Sequence, residues 1–185
     1  MDTSYLFLAE GFEEIEALTV VDVLRRAGMP VTTVSINPTR EVTGAHSIKV
    51  TADTVIADVN GERAEWLICP GGMPGATNLA ACTALSEMLG WQLHAGGKIA
   101  AICAAPAVVL APLGVLDGRE ATCYPGFEQM CPAANITGAP VVALPTLVTA
   151  NGPASATDFA LAIVRGSLGE KKACEVAQGM LVKGC

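Results

Sequence analysis

The sequence predicts an α/β fold, a mostly parallel sheet covered by helices on both faces. Three observations predict it. Short apolar runs alternate with segments of helical periodicity along the chain. The runs Tyr5–Ala9, Trp66–Cys69 and Ile99–Ile102 lack the polar alternation of a half-exposed strand, so both of their faces are buried. The stretch Ala100–Leu110 reads as one such strand that turns sharply at Cys103 into a helix, a nucleophile elbow.

Each element follows in order. Tyr5–Ala9 is the first strand, broken by Glu10-Gly11-Phe12. A helix runs from about Glu13 to Arg26, with Ala17, Val20, Val21 and Leu24 on its buried face. Gly28 caps it and Pro30 ends it. Val31–Ile36 is the second strand. Gly44 allows a hairpin between Glu41–Thr43 and Ile48–Val50. Trp66–Cys69 is the next buried strand, stopped by Pro70-Gly71-Gly72. One helix is predicted over Asn78–His94, terminated by Gly96 and Gly97. The elbow strand and its helix come next. Beyond Leu116 a short strand at Ala121–Cys123 precedes two neighbouring strands, Val141–Leu144 and Thr146–Thr149. Asn151-Gly152-Pro153 turns into a helix that Ser155 or Thr157 caps, and Lys171–Leu181 is the last helix. No linker, repeat or low-complexity tract divides residues 1–185, so a single domain is expected.

The composition narrows the function classes. A net charge of −7 argues against a nucleic-acid surface. The seven cysteines and two histidines form no C-x-x-C or Cys/His metal spacing, so no metal is expected, and with no P-loop or G-x-G-x-x-G no nucleotide cofactor is expected either. The first residues lack the basic and apolar regions of a signal peptide, which points to free thiols in a reducing cytoplasm. Ile99–Leu116 carries no charge, but Pro106, Pro112 and Gly114 interrupt it, so no membrane span is expected.

Small residues, Ala101 and Ala105, flank Cys103 where strand and helix backbones approach closely. Pro106 falls in the first helical turn, where its missing N–H costs nothing. At the positive end of a helix dipole the sulfur is expected to favour thiolate over thiol. The competing reading is a buried, inert cysteine in an alanine-rich core. In an open parallel sheet, sites form beyond the carboxyl ends of strands. Two other such ends carry notable groups. One holds Glu10, Glu13, Glu14 and Glu16; the other holds Gly71 and Gly72. A protonated carboxyl that donates to a thiolate stabilises the charged sulfur. Periodicity puts Glu13 and Glu14 nearer the buried face and Glu16 on its flank, and does not select among them. Acidic residues are also favoured in any first helical turn. The diglycine is either a plain turn or half of an oxyanion hole that the Ala104 N–H completes.

The sequence resembles the ThiJ/PfpI superfamily, a class I glutamine amidotransferase-like group, in its deglycase branch. The matching pieces are Glu10–Ala17, Val21–Gly28, Pro70–Gly72 with Gly75–Leu79, Ala100–Pro106, and Gly152-Pro153 with Asp158–Val164. They follow the family's order from end to end. The resemblance implies a flavodoxin-like three-layer sandwich and a homodimer, here through the helix 13–26. It makes Cys103 the nucleophile and easily oxidised thiol, selects Glu16 as its carboxyl partner, and places the Gly72 and Ala104 amides around the oxyanion. It implies a cofactor-free glyoxalase or deglycase acting on methylglyoxal-type 2-oxoaldehydes or glycated adducts. A redox sensor or chaperone working through Cys103 oxidation is the alternative, and a protease or amidase ranks third. Two positions depart from the family pattern. Tyr124 stands in the segment where many relatives carry a histidine, which weakens a Cys–His dyad. His46 stands where some relatives have an arginine near the site, and is read as an exposed loop residue unless it approaches a partner's site across a dimer. Gly71, Glu13, Tyr124 and His46 are therefore accessory candidates.

Overall fold

The computed structural model describes residues 1–59 and 64–183. Five helices and eleven strands are assigned among them. Seven strands form the main sheet, in the order β10 (Val141–Leu144), β11 (Leu147–Ala150), β7 (Lys98–Ile102), β6 (Trp66–Cys69), β1 (Ser4–Leu8), β2 (Val31–Ser35) and β5 (Thr54–Val55). All neighbours are parallel except β10 and β11, which form an antiparallel hairpin at one edge. The expected mostly parallel sheet is thus observed. Two small pairs lie outside it: β3 (Glu41–Thr43) with β4 (Lys49–Thr51), and β8 (Glu120–Ala121) with β9 (Asn135–Ile136).

The pleat sorts side chains into two cores, one on each face of the sheet. Leu6, Leu8, Ile68, Ala100 and Ile102 pack on one side with α1 (Glu14–Arg26), α4 (Ala156–Leu168) and α5 (Glu170–Gly179). Phe7, Ala9, Leu67, Ile99 and Ala101 face the other side, against α2 (Gly75–Ala81) and α3 (Thr83–His94). Strands buried on both faces need no polar alternation, which is why their sequences show none. Among the described residues no helix is long and apolar enough to cross a membrane.

Three elements differ from the sequence reading. The single helix over 78–94 is two helices, because Cys82 is extended (φ −81°, ψ 102°) and separates α2 from α3. The helix expected after Cys103 is instead one wide turn, Pro106–Leu110, in which Ala111 N–H reaches back to the Pro106 carbonyl. It tightens into a 3₁₀ turn over Ala111–Leu113 and ends at left-handed Gly114. Ser155 occupies the start of α4 but makes no side-chain cap. Its hydroxyl donates to Asn151 Oδ1 at 2.7 Å instead, bracing the preceding turn.

The chain builds β1, β2 and β5 outward in one direction, then returns to add β6, β7 and β11 on the other side of β1. The strand order reverses between β1 and β6. That is where an open parallel sheet leaves a crevice at its carboxyl edge.

Candidate active site

Three chain segments meet at this crevice. β7 delivers Cys103, whose φ is +64°. A non-glycine residue rarely adopts this left-handed conformation, and it costs of order 1–3 kcal/mol. Two backbone bonds hold it there. Cys103 N–H donates to the Ala150 carbonyl, and the Cys103 carbonyl accepts from Tyr124 N–H, both at 2.8 Å. The bend is the expected elbow, made without the expected helix.

β6 delivers the second segment. Its end leads to Gly71, whose carbonyl accepts Glu13 N–H at 3.0 Å, and to Gly72 with φ +87°. A Cβ on Gly71 would sit 2.6 Å from Cys103 Cβ, 2.7 Å from Glu16 Oε2 and 2.9 Å from the Ile102 carbonyl. Only glycine allows strand end, carboxyl and cysteine to come this close.

The third segment is the first turn of α1. Glu16 is fully buried, and its Oε2 accepts Gly71 N–H at 2.7 Å. Its Oε1 meets no donor of standard geometry, and the Cys103 thiol is the side chain that pairs with the carboxyl. The placement of Glu16 on the flank of α1 is therefore wrong. Glu13, Glu14 and Glu16 are all buried, because the β3–β4 hairpin and the Gly71 segment cover this turn.

Burial pushes the Glu16 carboxyl up to about 7; the Glu13 charge adds to this, while the Gly71 N–H and the thiol oppose it. Burial likewise pushes the Cys103 thiol up to about 12, aided by the Glu16 charge and opposed by the Gly72 and Ala104 N–H groups. The expected lowering of the thiol is overturned by burial first, and two further features add to it. The adjacent carboxylate disfavours a second negative charge. The short turn after Cys103 also stacks few aligned peptide dipoles. The two acids titrate as a pair that gives up one proton near 7 and holds the other to about 12.

A pocket of about 150 Å³ opens over the sulfur, lined by Gly72, Met73, Cys103, Ala104, Tyr124 and Phe127. Tyr124 and Phe127 meet edge to face, with ring centroids 6.3 Å apart. A larger cavity, about 340 Å³, lies beside α4 and β10 and holds none of these groups. The structure thus brings together Cys103, Glu16, Gly71, Gly72, Ala104 and Tyr124. Glu13 touches the group through its charge on Glu16.

His46 is elsewhere, near the tip of the β3–β4 hairpin. Its side chain is exposed, as expected, but it is not free. Its Nδ1 lies 2.8 Å from Glu14 Oε2 and 3.6 Å from Glu13 Oε2. The hydrogen bond that the imidazole gives Glu14, with the charges of both glutamates, raises the imidazole above its ordinary value. These three residues offer ligand atoms within 4.8 Å of one another. They pair with one another across the hairpin. Sequence reading missed this trio because His46 is far from the glutamates along the chain. It also missed Met73 and Phe127, whose place in the pocket follows from loop paths that no local pattern encodes.

The pattern of the DJ-1/PfpI family matches residues 3–166. Protein DJ-1 homolog B of Arabidopsis thaliana is 36% identical over 177 residues, covering 95% of this chain and 40% of that protein. The chain thus spans less than half the length of this relative. A Caenorhabditis elegans protein named glutathione-independent glyoxalase DJR-1.2 is 35% identical over 164 residues, covering 88% of this chain and 87% of its own. Among solved structures, oxidized Toxoplasma gondii DJ-1 superposes with a TM-score of 0.96 at 36% identity, over 100% of both chains. With the flavodoxin-like sheet, the bend at Cys103 and its buried glutamate in place, this chain belongs to the DJ-1/PfpI family.

Proposed function

We propose that the chain is a cofactor-free glyoxalase or deglycase that acts on small 2-oxoaldehydes, or their adducts, through Cys103. The observation that carries this reading is the Cys103 thiol set at a strained bend beside the buried Glu16 carboxyl, beneath a small apolar pocket. Between about 7 and about 12 the pair carries one proton and one negative charge. When Glu16 takes the proton, the sulfur is the anion, and the Gly72 and Ala104 N–H groups already point at it.

The sulfur attacks the aldehyde carbon, and the oxygen takes a proton to give a hemithioacetal. Glu16 then moves a proton from that carbon toward the neighbouring ketone carbon, through the enediol. The product is a 2-hydroxyacyl thioester. Water cleaves it to the 2-hydroxy acid and returns the thiol. The Gly72 and Ala104 amides hold the oxygen as its charge develops. The C. elegans relative's name supports this class of reaction. A protease reading has less support, since the pocket lining contains no histidine.

A second reading rests on the same cysteine. The Toxoplasma relative was solved in an oxidized state. Oxidation of Cys103 to sulfinate would place its charge against the same amides and glutamate, giving a redox sensor. Conversion of methylglyoxal to lactate by the purified protein separates the two. Turnover is expected to vanish in Cys103→Ala and to fall about 10²–10⁴-fold in Glu16→Gln, as for the loss of a general acid–base group. Tyr124→Phe should have far less effect. No turnover in the wild type would overturn the glyoxalase reading in favour of the sensor.

The exposed side chains Ile15 and Leu18 on the outer face of α1 support a homodimer through residues 13–26.

A further inference from the structure

The loop that follows the elbow is anchored in an unusual way. From Tyr124 to Met130 every residue is exposed except half-buried Phe127. The two residues that bound this stretch, Cys123 and Cys131, are 4% and 3% exposed and belong to the same apolar cluster. Their side chains lie close enough to interact with one another. A single helical turn, Glu128–Met130, brings the chain back, and the Cys131 N–H closes on the Glu128 carbonyl at 3.0 Å. The enclosed loop supplies Tyr124 and Phe127 to the wall of the Cys103 pocket, and Tyr124 N–H is bonded to the Cys103 carbonyl.

From this geometry we propose that Cys123 and Cys131 are a redox-active dithiol. In this proposal hydroperoxides, or disulfide-forming oxidants, convert the pair to a disulfide that fixes the wall of the Cys103 pocket. The two side chains are already neighbours in one apolar cluster, so the bond needs movement of the loop alone. Either sulfur can open the reaction. With Cys131 as the attacking group, its thiolate attacks one peroxide oxygen and the other leaves as water or alcohol, giving a sulfenic acid. The Cys123 sulfur displaces the hydroxyl, and water leaves with the Cys123 proton. In sum, two thiols and one hydroperoxide give one disulfide, one water and one alcohol, or a second water.

Burial keeps both thiols protonated and shielded, with Cys123 pushed up to about 12. Reaction therefore proceeds when the exposed loop lifts, and the sulfurs reseat as a disulfide. This makes the pair slower than an open thiol and selective for one another. The bond ties the loop ends together, so Tyr124 and Phe127 lose the freedom to move aside for a reagent entering over Cys103.

The test is independent of whether Cys103 turns over any substrate. Wild-type protein is treated with hydrogen peroxide, and separately with diamide, which removes two hydrogens from a thiol pair. Free thiols are then alkylated and the unreduced peptides mapped by mass spectrometry. The expected result is a linked Cys123–Cys131 peptide with both oxidants, lighter by two hydrogens and restored by reductant. The link should persist in Cys103→Ala and disappear in Cys131→Ser. In the diamide-treated wild type, Cys103 should react with iodoacetamide several-fold more slowly, and reductant should reverse this. Separate sulfinates at Cys123 and Cys131, links of either to Cys82 or Cys103, or an unchanged Cys103 alkylation rate would overturn the proposal.

Discussion

The proton of the candidate site belongs to two residues at once. Glu16 and Cys103 are each pushed toward the protonated form by burial, and each disfavours the other's charge. Two pH dependences follow. A carboxyl raised from 4.5 to about 7 in the folded protein adds stability that is fully present below 4.5. That stability is lost as pH rises through 7, and is on the order of 3 kcal/mol for a shift of this size. Glu16→Gln should remove this loss. Its melting temperature relative to wild type should therefore rise between pH 4.5 and 7 and level off above. Alkylation of Cys103 gives the second check. In the wild type its rate should first increase near pH 7, as the pair loses its first proton, and Glu16→Gln should lack that step. Cys103 was legible because an elbow needs small neighbours at fixed positions. The burial of Glu16 was not, because its cover comes from Gly71 and the β3–β4 hairpin, far along the chain.

At the scale of elements, the bend at Cys103 depends on what lies beside it. Gly71→Ala would drive a methyl group against the Ile102 carbonyl, which cannot move without breaking the β7 register. We expect a loss of about 2 kcal/mol or more and a slower Cys103 reaction, measured by urea denaturation and by alkylation. The β3–β4 hairpin depends on Glu14 in the same way. Burial alone would raise this carboxyl, but hydrogen bonds from the His46 imidazole and from the N–H groups of His46 and Ile48 outweigh it and hold it low. Glu14→Gln should cost about 1–2 kcal/mol and speed hydrogen exchange at the His46 and Ile48 amides. The helix break at Cys82 and the wide turn at Pro106 were missed for one reason. Periodicity records which residues face inward, and both irregular segments keep Leu79, Leu85, Val109 and Leu110 buried. The missing side-chain cap at Ser155 is a different failure, a competing acceptor at Asn151.

At the scale of the molecule, alternating buried runs were enough to predict a parallel sheet covered on both faces, because that arrangement is what such runs require. The strand order was not legible, since every strand carries the same apolar signal. The edge hairpin of β10 and β11 was read only as two neighbouring strands. The proposed dimer is tested on the outer face of α1, where Ile15 and Leu18 are 57% and 40% exposed. The wild type is expected to scatter light as a dimer at micromolar concentration, and Ile15→Glu with Leu18→Glu as a folded monomer. The place of β11 also bears on the order of synthesis. β7 has β6 as its first neighbour, but its second neighbour is made roughly forty-five residues later, some seconds of translation. During that interval one edge of β7 is an unpaired template beside a reactive cysteine. The Ala150 carbonyl that receives the Cys103 N–H does not yet exist. A nascent chain paused before Leu147 therefore holds an unfinished bend, and is the form most in need of a chaperone.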